Sequence, residues 1–282
     1  ATGPLLWTRV VLLGLTVGPI IAHYGGVVIH EASHDLCART PAQNRCIAIF
    51  ANMIQLVPYA MSFRRHHLTH HVHLGVEGID NDLAVPWERT AAMRHPLAKV
   101  LWLMAFPFIG GLFRSYAQKP DRWEWANIIL VIGFDVLLFV LLGPVAFTYL
   151  AISAYVSGSL HPVAGHFIHE HYLWDPGQET YSYYGPLNAV TLNLGYHVEH
   201  HDFINVPGAN LKKLHALAPE YYRDLVSHRS WTAVLWTFVT DRQLSHASRF
   251  ARTKKNVRGQ VAQTLGNYDA RRHEQQVVQG TP

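Results

Sequence analysis

Apolar positions in this chain gather into long runs rather than alternating, and the lengths of the runs predict the elements. Leu5 to Ile29 has Arg9 as its only formal charge and exceeds the roughly 20 residues a helix needs to cross a bilayer, so a transmembrane helix is predicted there. Cys46 to Met61 is shorter than a span and reads as an interfacial or re-entrant segment. Leu97 to Phe113 contains Pro107 and the pair Gly110-Gly111, which predicts a kinked or half-inserted helix. The strongest run, Asn127 to Leu160, carries one charge, Asp135, and is interrupted at Gly143-Pro144. Two short spans in an antiparallel hairpin account for it, with Asp135 turned toward the bundle in a hydrogen-bonding role.

Polar segments separate these runs. Leu74 to Pro86 is loop by its glycines and Asx residues, as is Tyr172 to Tyr184 with Pro176-Gly177. Leu211 to Leu217 and Ser230 to Thr240 have amphipathic helical patterns, while residues 251–282 read as a polar, basic, weakly periodic tail. The pattern therefore predicts an all-α multi-pass membrane protein, with one membrane domain over residues 1–250. Because the chain starts at Ala1 with an apolar segment almost at once, part of that domain is expected to precede it.

Composition agrees with a membrane. Of 282 residues, 49% are hydrophobic and only 15% charged, below the roughly 25% usual in soluble domains. The net charge of +4 is spread beside apolar segments, so no nucleic-acid partner is expected. Cys37 and Cys46 read as ordinary free thiols.

Histidine placement supplies the chemistry. The chain has 20 histidines, and eight fall into three clusters: His30 and His34; His67, His70 and His71; His197, His200 and His201. Spacings of i, i+3 and i+4 keep each cluster on one helix face. Four-coordinate zinc would be saturated by half of them, so the set implies two metal ions. Imidazole suits iron, and a histidine-rich pair of irons in a membrane protein suits dioxygen activation better than hydrolysis. The Glu-x-x-His set of carboxylate di-iron bundles is absent. A rival stands in His30-Glu31-Ala32-Ser33-His34, which matches the H-E-x-x-H zinc protease motif, yet one zinc has no use for the other two clusters. A metal transporter would need polar residues along several spans, and the hairpin offers little besides Asp135. His23 reads as a histidine meeting a neighbouring helix rather than a ligand.

One shared site requires all three clusters on one side of the bilayer, which the two crossings of the hairpin allow. Arg39, Arg45, Arg64, Arg65, Arg114, Lys119 and Arg122 collect on that side, making it cytosolic by the positive-inside rule. The expected architecture is thus a set of transmembrane helices under a cytosolic, histidine-rich di-iron helical cap.

The order HxxxH, HxxHH, HxxHH with a hydrophobic hairpin before the last box resembles the membrane fatty-acyl desaturase and hydroxylase superfamily. His161-Pro162-Val163-Ala164-Gly165-His166-Phe167-Ile168, Glu170-His171-Tyr172, Gln178 to Asn188 and Gly195 to Phe203 are similar to its sphingolipid delta-4 desaturase (dihydroceramide desaturase) branch. So are Phe63 to His71 and the following Leu74-Gly75 and Gly78-Ile79-Asp80. The resemblance covers about His23 to Ser248. It implies an enzyme with two non-haem iron ions that uses O2, and electrons from a separate cytochrome b5 and its reductase, to introduce a 4,5-trans double bond into dihydroceramide. C4-hydroxylation is the nearest alternative. The location implied is the endoplasmic reticulum membrane in a eukaryote. The ligands carried over are His30, His34, His67, His70, His71, His197, His200 and His201, with His166 the further candidate and His161 the next. The resemblance leaves His169 and His171 open, and suggests Asn188 and Asp202 as orienters of ligand imidazoles or as structural residues. Asp35 stands where the branch commonly has Asn, and no fused cytochrome b5 signature is present.

Overall fold

The computed structural model describes residues 3–109 and 119–252. The chain enters through α1 (Pro4–Leu15) and α2 (Val17–Ser33), which meet at Thr16 with a 44° bend. The sequence-predicted span over Leu5 to Ile29 is therefore two helical pieces. α3 (Pro41–Asn52) starts where its sequence says it should: Pro41 fills the first turn, where no amide partner is lost, and Thr40 and Gln43 cap each other reciprocally. The chain then turns by 116° into α4 (Ala60–Val72), so the Cys46 to Met61 run ends in a reversal and not in a straight crossing.

α5 (Pro96–Ile109) contains Pro107 as expected; Gly110-Gly111 and Arg114 lie outside the described residues. α6 (Arg122–Ser157) begins at Asp121, whose carboxylate accepts the amides of Trp123 and Glu124, both at 2.8 Å. A straight helix of that length would run about 54 Å. Instead, Gly143 takes φ 74° and ψ −177°, a conformation closed to side-chain-bearing residues. Across the break the rings of Phe139 and Phe147 are 5.8 Å apart, whereas eight residues of unbroken helix would separate them by about 12 Å. The hairpin predicted at Gly143-Pro144 is what forms. Its tip is apolar and uncovered, with Leu141 68% exposed, a surface suited to lipid and not to water. Within it, Asp135 is half-buried, and its Oδ1 is buried without a hydrogen-bond partner. By length and composition, α6 and its continuation can cross a membrane, and the bent pairs can do so if each counts as one span.

The rest is a cap. α7 (His166–His169), α8 (His197–Asp202), α9 (Gly208–Leu217) and α10 (Trp231–Thr240) are short, joined by a parallel pair of two-residue strands, β1 (Ser182–Tyr183) and β2 (Ser227–His228). α10 is more buried than an amphipathic surface helix: Val234 and Phe238 pack with Trp102, Ile168 and Tyr172, while Trp231 stacks on Tyr183 at 4.3 Å. Gly165 makes this possible, since a Cβ there would stand 2.5 Å from that of Trp231. Lys99, wholly buried, donates to Phe238 O at 2.7 Å and Asp241 O at 2.6 Å, capping the carbonyl end of α10. Residues 245–252 close over the loops: Leu173 N donates to Ser248 O (2.8 Å), Arg252 N to Gly75 O (2.6 Å) and Glu77 N to Arg252 O (3.0 Å). The predicted tail is thus anchored through Arg252, and residues 253–282 lie outside the described residues. Both cysteines are free and exposed.

Candidate metal centre

Three elements bring the boxes together. α2 carries His30 and ends at His34, α4 carries the second box, and α8 the third. His30, His34, His67, His71 and His200 converge so that one ring nitrogen from each lies within 4.8 Å of the others. His70, His171 and His201 form a second group on the same criterion, and His197 Nε2 lies 2.9 Å from His171 Nε2. The two HxxHH boxes each feed both groups. On α4, His67 and His71 are one turn apart and face the first group while His70 faces the second; on α8, His200 faces the first while His197 and His201 face the second. An adjacent histidine pair is what lets one helix serve two centres.

Proton bookkeeping indicates what these groups can hold. The Nε2 atoms of His34 and His67 are 2.9 Å apart, those of His67 and His71 3.0 Å, and those of His71 and His200 3.1 Å. A neutral imidazole has one N–H and one lone pair, so His67 and His71, each meeting two partners through a single nitrogen, cannot give every contact its own hydrogen. Lone pairs converging on a cation remove the conflict. Two imidazole nitrogens bound at about 2.1 Å to one ion, at right angles, stand about 3 Å apart. The donor set therefore fits a metal ion in each group, and among the described residues no thiolate joins either one.

Electrostatics agree. Burial, reinforced by neighbouring imidazoles, pushes His171, His197, His200 and His201 well below the usual histidine range, and His71 to about 3. These rings are uncharged at neutral pH, as ligands must be. For His70, burial acts in the same direction, but the hydrogen bond to Asp80 and the nearby Asp82 outweigh it and the net shift is upward.

Carboxylates hold the rings in place. His70 Nδ1 is 3.0 Å from Asp80 Oδ1, and Asp80 also accepts the amides of Gly75 and Asp82. Glu170 Oε1 lies 2.8 Å from His166 Nε2 and 3.1 Å from His197 Nδ1, the latter off the line of a strict hydrogen bond. Glu199, inside the third box and fully buried, accepts from Ser182 Oγ (2.7 Å), Tyr184 OH (2.7 Å) and His215 Nδ1 (2.6 Å). Arg64 donates to the carbonyls of Ala32 and Ser33, sealing the end of α2, and pairs with Asp35 at 2.9 Å. Asp35 has φ 60°, where an Asx residue is favoured, so Asp is readily accommodated at a position where Asn is common.

The eight box histidines all reach the two groups. His166 lies outside both, turned to Glu170 and edge-on to His23 at 5.0 Å. His161 accepts Val163 N at the start of a 3-10 turn, and His169 packs beneath Trp231. Asn188 ties Tyr183 O to Gly195 N, and Asp202 is exposed with Tyr222 as its partner; neither touches a box imidazole. Glu31 accepts Gly208 N at 2.9 Å, leaving it a structural carboxylate and not a general base. His171 joins the second group and Glu170 faces His197, two roles that the spacing of Glu170-His171-Tyr172 does not mark.

Long apolar helices beside a buried double cluster of imidazoles define a helical, membrane-type protein with two multi-histidine groups able to hold metal. Comparison with known proteins gives the particular family: the model for "Fatty acid desaturase" matches residues 5–233, and the chain belongs to that family of oxidoreductases. It is 40% identical over 249 residues to a protein of Oryza sativa subsp. japonica named sphingolipid delta(4)-desaturase DES1-like, covering 87% of this chain and 75% of that one. The human sphingolipid delta(4)-desaturase/C4-monooxygenase DES2 is 41% identical over 253 residues, 88% of this chain and 78% of its own. The Xenopus tropicalis sphingolipid delta(4)-desaturase DES1 is 41% identical over 256 residues, 89% and 77% respectively.

Proposed function

We propose that this protein is a sphingolipid delta-4 desaturase that converts dihydroceramide to ceramide, with two iron ions held by the two histidine groups. The observation that carries the reading is the convergence of five imidazoles on one point and four on a neighbouring one, joined to the names of the relatives. His30, His34, His67, His71 and His200 are assigned to one ion, and His70, His171, His197 and His201 to the other. His166 is assigned to Glu170, which it supports from behind.

Bound iron supplies the capacity to activate O2 toward an unactivated C–H bond. The balance is one C–H lost from each of two adjacent methylenes, one C=C gained, and O2 reduced to two waters with two further electrons and two protons. The chain's own residues hold the rings in place: Asp80 on His70, Glu170 on His197, and Glu199 with Ser182, Tyr184 and His215 on the backbone of α8. The apolar hairpin and α1 seat the protein in the bilayer where a sphingolipid is found. Electrons come from a separate cytochrome b5 and its reductase, the boxes face the cytosol by the distribution of arginines, and the membrane is the endoplasmic reticulum in a eukaryote. Residues 1–250 act as the desaturase unit, with residues 251–282 following it.

C4-hydroxylation is kept as a second reading, because several relatives carry C4-monooxygenase in their names. Both reactions begin with loss of one hydrogen. Expression in cells lacking the activity, followed by mass spectrometry of long-chain bases, separates them. A 4,5-unsaturated base is expected; a base that gains one oxygen and no double bond contradicts desaturation.

A further inference from the structure

The two histidine groups differ in what lies behind their rings. In the group of His70, His171, His197 and His201, two Nδ1 atoms are hydrogen-bonded to an oxygen, His70 to Asp80 at 3.0 Å and His171 to Glu179 O at 3.3 Å, and a third, that of His197, has Glu170 3.1 Å away though out of hydrogen-bonding line. In the other group, the Nδ1 atoms of His30, His71 and His200 are buried without a hydrogen-bond partner, and the nearest carboxylate oxygen to His30, that of Glu31, is 3.7 Å away. An acceptor at Nδ1 keeps the proton there, leaves Nε2 as the lone-pair nitrogen and makes that nitrogen a better donor; a carboxylate does so more strongly than a carbonyl.

We infer that Asp80 and Glu170 are positioning residues that make the two metal positions unequal, giving the one lined by His70, His171, His197 and His201 the firmer hold on its ion. The inference rests on the two-ion reading above. Its geometry is independent of the boxes: Asp80 belongs to the loop after α4 and is fixed by the Gly75 and Asp82 amides, and Glu170 follows α7 and is fixed by His166. The charge balance also favours this position, since the Asp80 carboxylate opposes the ion's charge there and no carboxylate stands within hydrogen-bond reach of the other group's rings among the described residues. His166 thereby gains a role. Its Nε2 lies 2.8 Å from the same Glu170 oxygen that faces His197, which aims the carboxyl group without the ring reaching either group.

The test is a titration of the metal-free, detergent-solubilised chain with Co(II), followed by visible absorption and by competition with a chelator. The wild type is expected to take up two ions in two phases. Asp80→Asn and Glu170→Gln are each expected to weaken the tighter phase about 10- to 100-fold and leave the weaker one in place. His166→Phe is expected to act in the same direction as Glu170→Gln while both ions still bind. Asp80 also braces its loop, so thermal unfolding accompanies each variant; if Asp80→Asn fails to fold, Glu170→Gln decides. Two phases that stay unmoved in both variants, or that move together, overturn the inference and leave the two-ion reading intact. A wild type that binds fewer than two ions overturns both, and loss of one whole ion in His166→Phe makes His166 a ligand and overturns its positioning role.

Discussion

Glu31 of α2 accepts a hydrogen bond from the amide of Gly208 at 2.9 Å, tying the helix of the first box to the start of α9 across 177 residues of sequence. The carboxylate is buried and meets an amide at a helix N-terminus, which favours negative charge. Glu31→Ala leaves that N–H without its partner and is expected to cost about 1–3 kcal/mol of stability, while both ions are retained. Thermal unfolding in detergent with metal analysis on the same sample checks this. A variant of unchanged stability that loses one zinc-dependent hydrolytic activity would revive the protease reading.

Lys99→Met removes the ammonium that closes the carbonyl end of α10 through Phe238 O and Asp241 O. Hydrogen bonds to a charged group contribute roughly 1.5–3 kcal/mol each. The expected outcome is a fall in melting temperature with an unaltered metal content, because α10 supplies no imidazole to either group.

Arg249 is buried, lies over the Tyr172 ring at 4.4 Å and pairs with Asp82, two residues from the carboxylate that holds His70. Arg249→Ala removes a charged hydrogen bond to a partly exposed carboxylate and is expected to cost about 1–3 kcal/mol. Metal loss should follow at the His70 position before the other, read as iron content falling toward one per chain on mild heating. Equal loss from both positions would show that the strap has no selective hold on one group.

Acid should release the metal and then the fold. Burial first, then neighbouring charges, lowers His71 to about 3, and burial alone lowers His228 to about 4. A folded-state value below the unfolded 6.5 means that the folded chain binds fewer protons, so the stability from these rings is fully present above about pH 6.5 and is lost as pH falls toward 4 and 3. His70, raised by its carboxylates, contributes with the opposite sign, present below pH 6.5 and lost as pH rises through its folded value, but it is one ring against several. Unfolding of the metal-free chain between pH 7.5 and 4 is expected to show stability falling throughout. A flat profile would mean the rings are not held neutral.

What the sequence made legible is local. The spacing of His67, His70 and His71 and of His197, His200 and His201 reads directly as a helix face, and Gly143-Pro144 in an unbroken apolar run reads as a turn. The division of each HxxHH box between two histidine groups is a matter of how α2, α4 and α8 are arranged and has no signature in spacing. His171 is one histidine with no partner at i+3 or i+4, and it becomes a neighbour of His70 only across 101 residues. Asp80, Glu170 and Arg249 act through contacts equally remote. The apolar stripe of Trp231, Val234 and Phe238 fits packing on a membrane surface as well as on the cluster bundle, and the partners that bury it, Trp102 and Tyr172, come from distant elements. His166 seemed a natural ligand by its place before the last box, and only Glu170 explains why it stands back.

On the proposed reading nine imidazoles hold two irons, and elemental analysis of the purified protein counts them. Two irons per chain are expected, falling toward one when either His71 or His171 is replaced by a non-ligating residue. One zinc per chain with no iron, or a wild type that holds a single ion, would contradict it.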